Sequence, residues 1–287
     1  MQPMKHLSGL REIADQYDAI YCDVWGVLHN GRKAFAAASE ALVAFRKLGG
    51  RVILLTNAPV PKEQVLRYFE PLGVSDKAYD DCVSSGDATR FLLQKYQGKK
   101  VWILGIDEGW EHDRYLYEGL DITLTQKPEE ADIGLLVGLR DPRQDHPNDY
   151  KEEFSALAQT RLNLICANPD IQVRIGDRLY WCAGALAKIY EQEGGSVLYP
   201  GKPHPAIYDH AYSKLETLGL TPSVSRILAI GDGPDTDIRG ANAQALDVLY
   251  VGTGLAEHSQ ADFLVEAERI MTEKHVHSNY AQAYLKW

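Results

Sequence analysis

The chain has 287 residues, of which 45% are hydrophobic and 24% charged, which excludes a disordered chain and predicts a globular protein of two modules. The formal net charge of -10 argues against partners such as nucleic acid or a membrane surface, although a local cation could still allow a small anionic substrate. The polar start, the lack of a bilayer-length apolar run and the lack of a CxxC pair predict a soluble, cytoplasmic protein.

From residue 19 onward, short apolar runs alternate with amphipathic segments, which is the pattern of a parallel α/β sheet. The first run, AIYCD at residues 19–23, ends in a carboxylate, and a helix is predicted over 37–48. The second run, RVILLTN at residues 51–57, ends in Thr and Asn, and a helix follows near 62–71. Further strands are predicted over residues 101–105, 133–138 and 162–168.

A last set of strand-like segments ends in polar or glycine residues: VLYPGKP (197–203), RILAIGD (226–232) and DVLYVG (247–252). Ligands of open parallel sheets bind beyond the carboxyl ends of the strands, so the first two and last three strand ends are predicted to form one site. The fold class is therefore α/β, with a Rossmann-like parallel-sheet core and an inserted α/β cap domain. The predicted core covers residues 1–83 and 184–287, and the predicted cap covers 84–183. The aromatic-rich segment at residues 179–190 has helical spacing and is predicted to be a helix in the core between the domains.

Four separated motifs carry residues suited to phosphoryl transfer. A single strand-terminal Asp or Thr-Asn pair is ordinary turn or capping chemistry, but four such endings in order are hard to explain that way. The reaction needs an oxygen nucleophile, cations that balance the phosphate charge, and donors that orient it. The motifs are DVWGV with Asp23 and Gly26, LLTNA with Thr56 and Asn57, PGKP with Lys202, and GDGPDTDI with Asp232 and Asp237.

Four of these residues have side chains with a chemical role that fits the reaction. Asp23 can attack phosphorus, Lys202 can offset negative charge, and Thr56 with backbone N–H groups can hold phosphate oxygens. Ligands that are all oxygen, such as the carboxylates of Asp23 and Asp232, favour a hard ion, so Mg²⁺ is the predicted cofactor.

The four motifs, in this order and separation, resemble those of the haloacid dehalogenase superfamily. The long insertion and CANPD at residues 166–170 resemble its class IIA phosphatases, which are related to sugar-phosphate and nitrophenyl-phosphate phosphatases. The resemblance implies a small phosphorylated metabolite as partner and leaves a homodimer open. The resemblance implies that Asp23 is the nucleophile and a metal ligand, that the Trp25 backbone carbonyl and Asp232 also bind the metal, and that Asp237 is a partner of the metal through another ligand or through water. It further implies Lys202 as charge stabiliser, and it places Gly26, Thr56 and the backbone amide of Asn57 at the phosphate and Asn168 and Asp170 at the active-site mouth.

The chain departs from this family at one position. The family's phosphatases carry a second Asp two residues after the nucleophile, as general acid and base, where this chain has Trp25. Indole cannot transfer a proton to the leaving group, and loss of such a group removes about a hundredfold to ten-thousandfold of rate. Slow turnover, or restriction to good leaving groups, is therefore predicted. His29 is considered as a substitute proton carrier, against its ordinary interpretation as a loop or capping residue.

Three functions follow from these residues. The first is a magnesium-dependent phosphohydrolase that acts on a small, sugar phosphate-like compound through an aspartyl-phosphate, weakened at position 25. The second is a catalytically impaired protein that binds a phosphate ligand for sensing or regulation. The third is another transfer through a covalent aspartyl intermediate that needs no such acid. GTGLAE at residues 252–257 lacks the final small residue of a dinucleotide fingerprint, which argues against nicotinamide binding.

Overall fold

The computed structural model describes residues 4–105, 113–175, 178–252 and 260–287. Strands and helices alternate along most of these ranges, as the sequence predicts. The strands are β1 (Lys5–His6), β2 (Ala19–Asp23), β3 (Arg51–Thr56), β4 (Asp81–Ser84), β5 (Lys99–Leu104), β6 (Ile122–Thr125), β7 (Ile133–Leu136), β8 (Asn163–Cys166), β9 (Gln172–Ile175), β10 (Arg178–Trp181), β11 (Ser196–Leu198), β12 (Ile227–Gly231), β13 (Asp247–Val251) and β14 (Tyr280–Gln282).

The α-helices of the same ranges cover the segments that carry amphipathic sequence. Within the described residues, none of these helices combines the length and apolar character needed to cross a membrane. Apart from Gly252, the GTGLAE segment lies outside the described residues. The helices are α1 (Ala36–Lys47), α2 (Lys62–Arg67), α3 (Phe69–Leu72), α4 (Ser85–Leu93), α5 (Lys151–Gln159), α6 (Ala183–Gln192), α7 (Pro205–Thr217), α8 (Arg239–Ala243) and α9 (Gln260–Lys274).

The first of two compact units comprises residues 1–56, 66–83 and 208–287. Its sheet has the strand order β1-β14-β13-β12-β2-β3-β4. At the centre β12, β2 and β3 are parallel, with Ile230 beside Cys22 and Asp23 beside Leu55. Every residue of β2 and β12 is buried, as expected for strands covered on both faces. Because the three strands run in the same direction, their carboxyl ends lie at one edge of the sheet.

The second compact unit comprises residues 57–65 and 84–207. It contains a parallel sheet of order β11-β8-β7-β5-β6 and an antiparallel pair, β9 and β10. Successive strand residues face opposite sides of this sheet. Leu136 and Leu164 join a buried cluster with α5 and α6, whereas Leu135 and Ile165 join a separate cluster with Leu93 of α4. Both faces of the sheet are therefore covered, which makes this insertion a small α/β layer structure of its own.

The compact units divide the chain at points that differ from the predicted domain boundaries. Residues 184–207 group with the second unit because β11 pairs with β8 and α6 packs against the same cluster as β8. Residues 57–65 also group with it. The predicted core of 1–83 and 184–287 and cap of 84–183 stay a proposal about the domains, and the second compact unit ends at residue 207 instead of 183.

Two predicted elements are wrong. VLYPGKP at residues 197–203 does not join the main sheet, because β11 covers only Ser196–Leu198 and hydrogen-bonds with β8. The helix predicted over 179–190 begins only at Ala183. The preceding residues form β10, which pairs with β9, and Cys182 keeps an extended backbone as the N-cap of α6. In both places a pairing partner elsewhere in the chain decides the local structure.

Candidate active site

Three carboxylates converge at the carboxyl edge of the main sheet. Asp23 is the last residue of β2, Asp232 follows β12 directly, and Asp237 lies in the π-helical turn Pro234–Ile238. One ligand oxygen of each lies within 4.8 Å of the others. Asp23 and Asp237 are each only 7% exposed. Carboxylates held this close repel one another unless a cation balances their charge, and oxygen donors of this kind are those that Mg²⁺ prefers. The donor set therefore fits the implied magnesium ion.

Glycines allow these carboxylates to approach the backbone closely. Gly26 has φ of +86°, and a Cβ placed on it would lie 1.9 Å from Oδ2 of Asp232. A Cβ on Gly231 would lie 2.3 Å from Cγ of Asp237. The Asp237 carboxylate also accepts a hydrogen bond of 3.0 Å from the Gly233 N–H. Glycine at positions 26 and 231 therefore leaves the space that two of the three carboxylates occupy. The phosphate-binding role of Gly26 stays a prediction.

Thr56, the predicted phosphate binder of the second motif, is the last residue of β3 and is buried. Its strand is the parallel neighbour of β2, and Asp23 is in register with Leu55, the residue just before Thr56. Thr56 therefore lies at the same sheet edge as the nucleophile candidate. Its phosphate-binding role stays a prediction, as does the metal-ligand role of the Trp25 carbonyl.

Trp25 packs against the loop that follows it. Its ring meets the ring of His29 edge to face, with centroids 5.1 Å apart, and a backbone bridge also joins the two residues. A Cβ placed on Gly31 would lie 2.4 Å from Cη2 of Trp25, and Gly31 has φ of +80°. The indole therefore occupies a space that only glycine at position 31 leaves open. The Asn30-Gly31 dipeptide is a turn signal in the sequence, but nothing in the sequence indicates that this turn holds Trp25.

His29 has a buried side chain that packs between two aromatic rings, those of Trp25 and Phe69. Burial lowers the pKa of His29 from 6.5 to about 4. Its Nδ1 accepts a hydrogen bond of 3.1 Å from the Gly31 N–H. A neutral imidazole in this position has no proton to give readily near pH 7, so the geometry favours a structural role over that of a substitute general acid.

The lowered pKa of His29 predicts a loss of stability in acid. The unfolded chain binds a proton at this residue near pH 6.5 and the folded chain only near pH 4, so the free energy of unfolding falls as the pH drops between these values. From pH 7 to pH 5 the contribution of His29 amounts to about 2 kcal/mol. Urea unfolding at both pH values measures it, with EDTA present so that metal binding adds no pH dependence of its own.

The control for this prediction is His29→Gln, which keeps an acceptor but does not titrate. The free energy of unfolding of this variant is expected to fall less between pH 7 and pH 5 than that of the parent, by about 2 kcal/mol. Equal losses in parent and variant would show that His29 titrates normally in the folded protein.

The second compact unit contains the remaining candidates. Lys202 and Asn57 are both 3% exposed and hydrogen-bond to each other. Asp170 accepts a hydrogen bond from Asn57, and its own N–H donates to Oδ1 of Asn168. The structure thus brings together Asn57 of the Thr-Asn motif, the Gly-Lys-Pro motif and the Asn-Pro-Asp turn, which are far apart in the sequence. The sequence does not show these contacts.

The fold and the carboxylate cluster define the class of the molecule, an α/β protein with an acidic site suited to a divalent cation at the carboxyl edge of its central sheet. Two family models match the chain: haloacid dehalogenase-like hydrolase over residues 20–114, and a HAD-hydrolase-like model over residues 199–277. The crystal structure of a haloacid dehalogenase-like hydrolase from Brucella suis 1330 is similar to this chain, with 40% sequence identity and a TM-score of 0.84. The match covers 99% of this chain and 100% of the Brucella chain.

Two further relatives are named for their activities. Ribonucleotide monophosphatase NagD of Escherichia coli (strain K12) is 27% identical over 245 residues, which cover 85% of this chain and 90% of NagD. The glycerol phosphate phosphatase of Mycobacterium tuberculosis, solved with magnesium, shares the fold with a TM-score of 0.67 at 23% identity, over 97% of this chain and 76% of that one. The chain therefore belongs to the haloacid dehalogenase superfamily of hydrolases, and its predicted resemblance to the class IIA phosphatases is confirmed.

Proposed function

We propose that this chain is a magnesium-dependent phosphohydrolase that acts on a small, sugar phosphate-like compound through an aspartyl-phosphate on Asp23. The observation that carries the proposal is the cluster of Asp23, Asp232 and Asp237 at the carboxyl edge of the central parallel strands. Relatives that act on ribonucleotide monophosphates and on glycerol phosphate support a small phosphate ester as the substrate class.

In this mechanism an oxygen of Asp23 attacks phosphorus, the bond from phosphorus to the ester oxygen breaks, and an aspartyl-phosphate forms. Water then attacks that phosphorus, which releases phosphate and restores the carboxylate. Asp23, Asp232, Asp237 and the Trp25 carbonyl would hold Mg²⁺, which when bound supplies positive charge that offsets the charge of the phosphate oxygens. From their motifs, Lys202 would offset the remaining negative charge of the phosphate and Thr56 would hold its oxygens.

Proton transfer is the weak step of this mechanism. Trp25 stands where the family's phosphatases have a carboxylate, and its ring packs on His29 and the Gly31 turn. The leaving alcohol must therefore take its proton from water, and the attacking water has no carboxylate base at this position. Substrates whose leaving oxygen is stable as an anion are expected to react fastest.

Trp25 also favours the second candidate function, a catalytically impaired protein that binds a phosphate ligand for sensing or regulation. Such a protein needs the cation site and the phosphate contacts but no proton transfer. The two functions differ in one measurable property, since only the hydrolase forms and breaks a covalent bond to Asp23.

The test is phosphate release by the purified protein with Mg²⁺, measured against a panel of small phosphate esters and 4-nitrophenyl phosphate. We expect release that stops when EDTA removes the metal, and faster turnover of the aryl phosphate than of the alkyl phosphates. If no compound is hydrolysed, yet Mg²⁺ and inorganic phosphate still bind together, the hydrolase proposal fails in favour of the binding protein.

A further inference from the structure

The side chain of Asn57 holds the main chain of Lys202 at two points. Its Oδ1 accepts a hydrogen bond of 2.8 Å from the Lys202 N–H, and its Nδ2 donates a bond of 3.0 Å to the Lys202 carbonyl. Both side chains are almost completely buried. The amide thus pairs with both polar groups of one residue, as a neighbouring strand would.

Asp170 completes this arrangement. Its Oδ1 accepts a hydrogen bond of 2.8 Å from Nδ2 of Asn57. An amide nitrogen carries two hydrogens, so the bonds to Asp170 and to the Lys202 carbonyl use both of them. The orientation of the amide is set by its partners, since an oxygen in place of Nδ2 would face two acceptors. The Asn57 side chain therefore has no hydrogen left with which to bind phosphate.

The surroundings fix both partners of Asn57. A Cβ placed on Gly201 would lie 2.6 Å from Oδ1 of Asn57 and 2.9 Å from Cδ of Pro169, so only glycine lets the three segments meet. The Asp170 N–H donates to Oδ1 of Asn168, and its carbonyl accepts a bond of 3.2 Å from the Gly184 N–H at the start of α6. The turn that carries Asp170 is thereby attached to a helix.

We propose that Asn57 and Asp170 are positioning residues for Lys202, and that their side chains serve the reaction by fixing the backbone of this lysine. The proposal rests on the proposed function, in which Lys202 offsets phosphate charge. The proposal adds a role for the Asn57 side chain, for which the motif predicted only a contact of the backbone amide with phosphate. It also gives Asp170 a positioning role in place of the predicted one at the active-site mouth. A lysine that is misplaced by about 1 Å could cost up to about a hundredfold in rate.

A double-mutant cycle tests the proposal, with kcat measured for the parent, Asn57→Ala, Lys202→Met and the double variant. We expect Asn57→Ala to lower kcat about tenfold or more in the parent and to have almost no further effect when Lys202 is already methionine. A side chain that binds phosphate itself, or that merely stabilises the fold, would lower kcat by a similar factor in both backgrounds, and that result would overturn the proposal.

Asp170 offers a conservative pair of variants. Asp170→Asn keeps an oxygen that can accept from Asn57 and is expected to retain most of kcat, whereas Asp170→Ala removes the acceptor and should lower kcat severalfold. Similar losses in both variants would point to the charge of Asp170 and would contradict its role as a hydrogen-bond acceptor for Asn57.

The same four proteins can also be compared without turnover, by measuring their affinity for inorganic phosphate in the presence of Mg²⁺. Lys202→Met should weaken phosphate binding, and Asn57→Ala should weaken it only while Lys202 is present. If the parent protein binds phosphate but hydrolyses nothing, the proposed function is wrong. The phosphate affinities of the four proteins would still show whether Asn57 positions Lys202. Additive losses in phosphate affinity would overturn the positioning role alone.

Discussion

Replacing Asp23 with asparagine is expected to lower phosphate release by at least about a thousandfold, since an amide oxygen is too weak a nucleophile to attack phosphorus. The buried position of Asp23 at the end of β2, within 4.8 Å of the ligand oxygens of Asp232 and Asp237, is what this expectation rests on. Initial rates with 4-nitrophenyl phosphate and Mg²⁺ measure the loss. Mass spectrometry of acid-quenched parent protein should in addition find a phosphate adduct on the peptide that contains Asp23.

The chain offers a matched control for this variant. Asp235 lies in the same motif as Asp232 and Asp237, but it is exposed and forms ion pairs with Arg239 and Lys274. Asp235→Asn makes the same chemical change outside the carboxylate cluster and should leave the rate within about twofold of the parent. If Asp23→Asn keeps a rate comparable to that of Asp235→Asn, Asp23 is not the nucleophile and the covalent mechanism is wrong.

Replacing Trp25 with aspartate is expected to raise the hydrolysis of alkyl phosphates by about a hundredfold, the lower end of the range for a positioned general acid. The reason is that an alkoxide leaves poorly unless it is protonated, whereas 4-nitrophenolate leaves readily without a proton. The gain with 4-nitrophenyl phosphate should therefore be much smaller. The ratio of kcat/KM for the two substrates, compared between parent and variant, measures the effect.

Trp25→Asn is the control for the removal of the indole. It opens the same space beside His29 and Gly31 but transfers no proton. A hundredfold gain in the aspartate variant alone assigns the weakness of this enzyme to the missing acid and base. Equal rates in the two variants would mean that a carboxylate at position 25 does not act on the leaving group, and the expected gain from a general acid there would be wrong.

Much of the central sheet could be predicted from the sequence because its strands are buried on both faces. A buried parallel strand is a continuous apolar run, and AIYCD and RVILLT end where polar residues begin. The prediction for β2 agrees with the structure at both ends, and that for β3 differs by one residue. The carboxylates of Asp23 and Asp232 could be expected to lie close together because parallel strands have their carboxyl ends at one edge of the sheet.

Short or partly exposed strands could not be predicted in this way. β11 has only three residues, and its partner β8 lies more than thirty residues earlier in the chain, so its sequence alone cannot say which sheet it joins. Residues 179–181 of β10 lie in a segment, 179–190, whose spacing is helical, and only the pairing of β10 with β9 makes these first residues a strand. Such elements acquire their structure from contacts that periodicity does not encode.

The sequence by itself determined the order of the four motifs, the oxygen-rich set of candidate metal ligands and the residue at position 25, because residue type and spacing carry this information directly. Only the tertiary structure decided what the side chains of Asn57, Asp170 and Trp25 contact. Asn57 meets Asp170 and Lys202 across 113 and 145 residues of chain, and the space for the Trp25 ring depends on the absence of a Cβ at Gly31. Hydrogen bonds and close packing between distant segments form only when the backbone is folded, so residue types alone could not specify them.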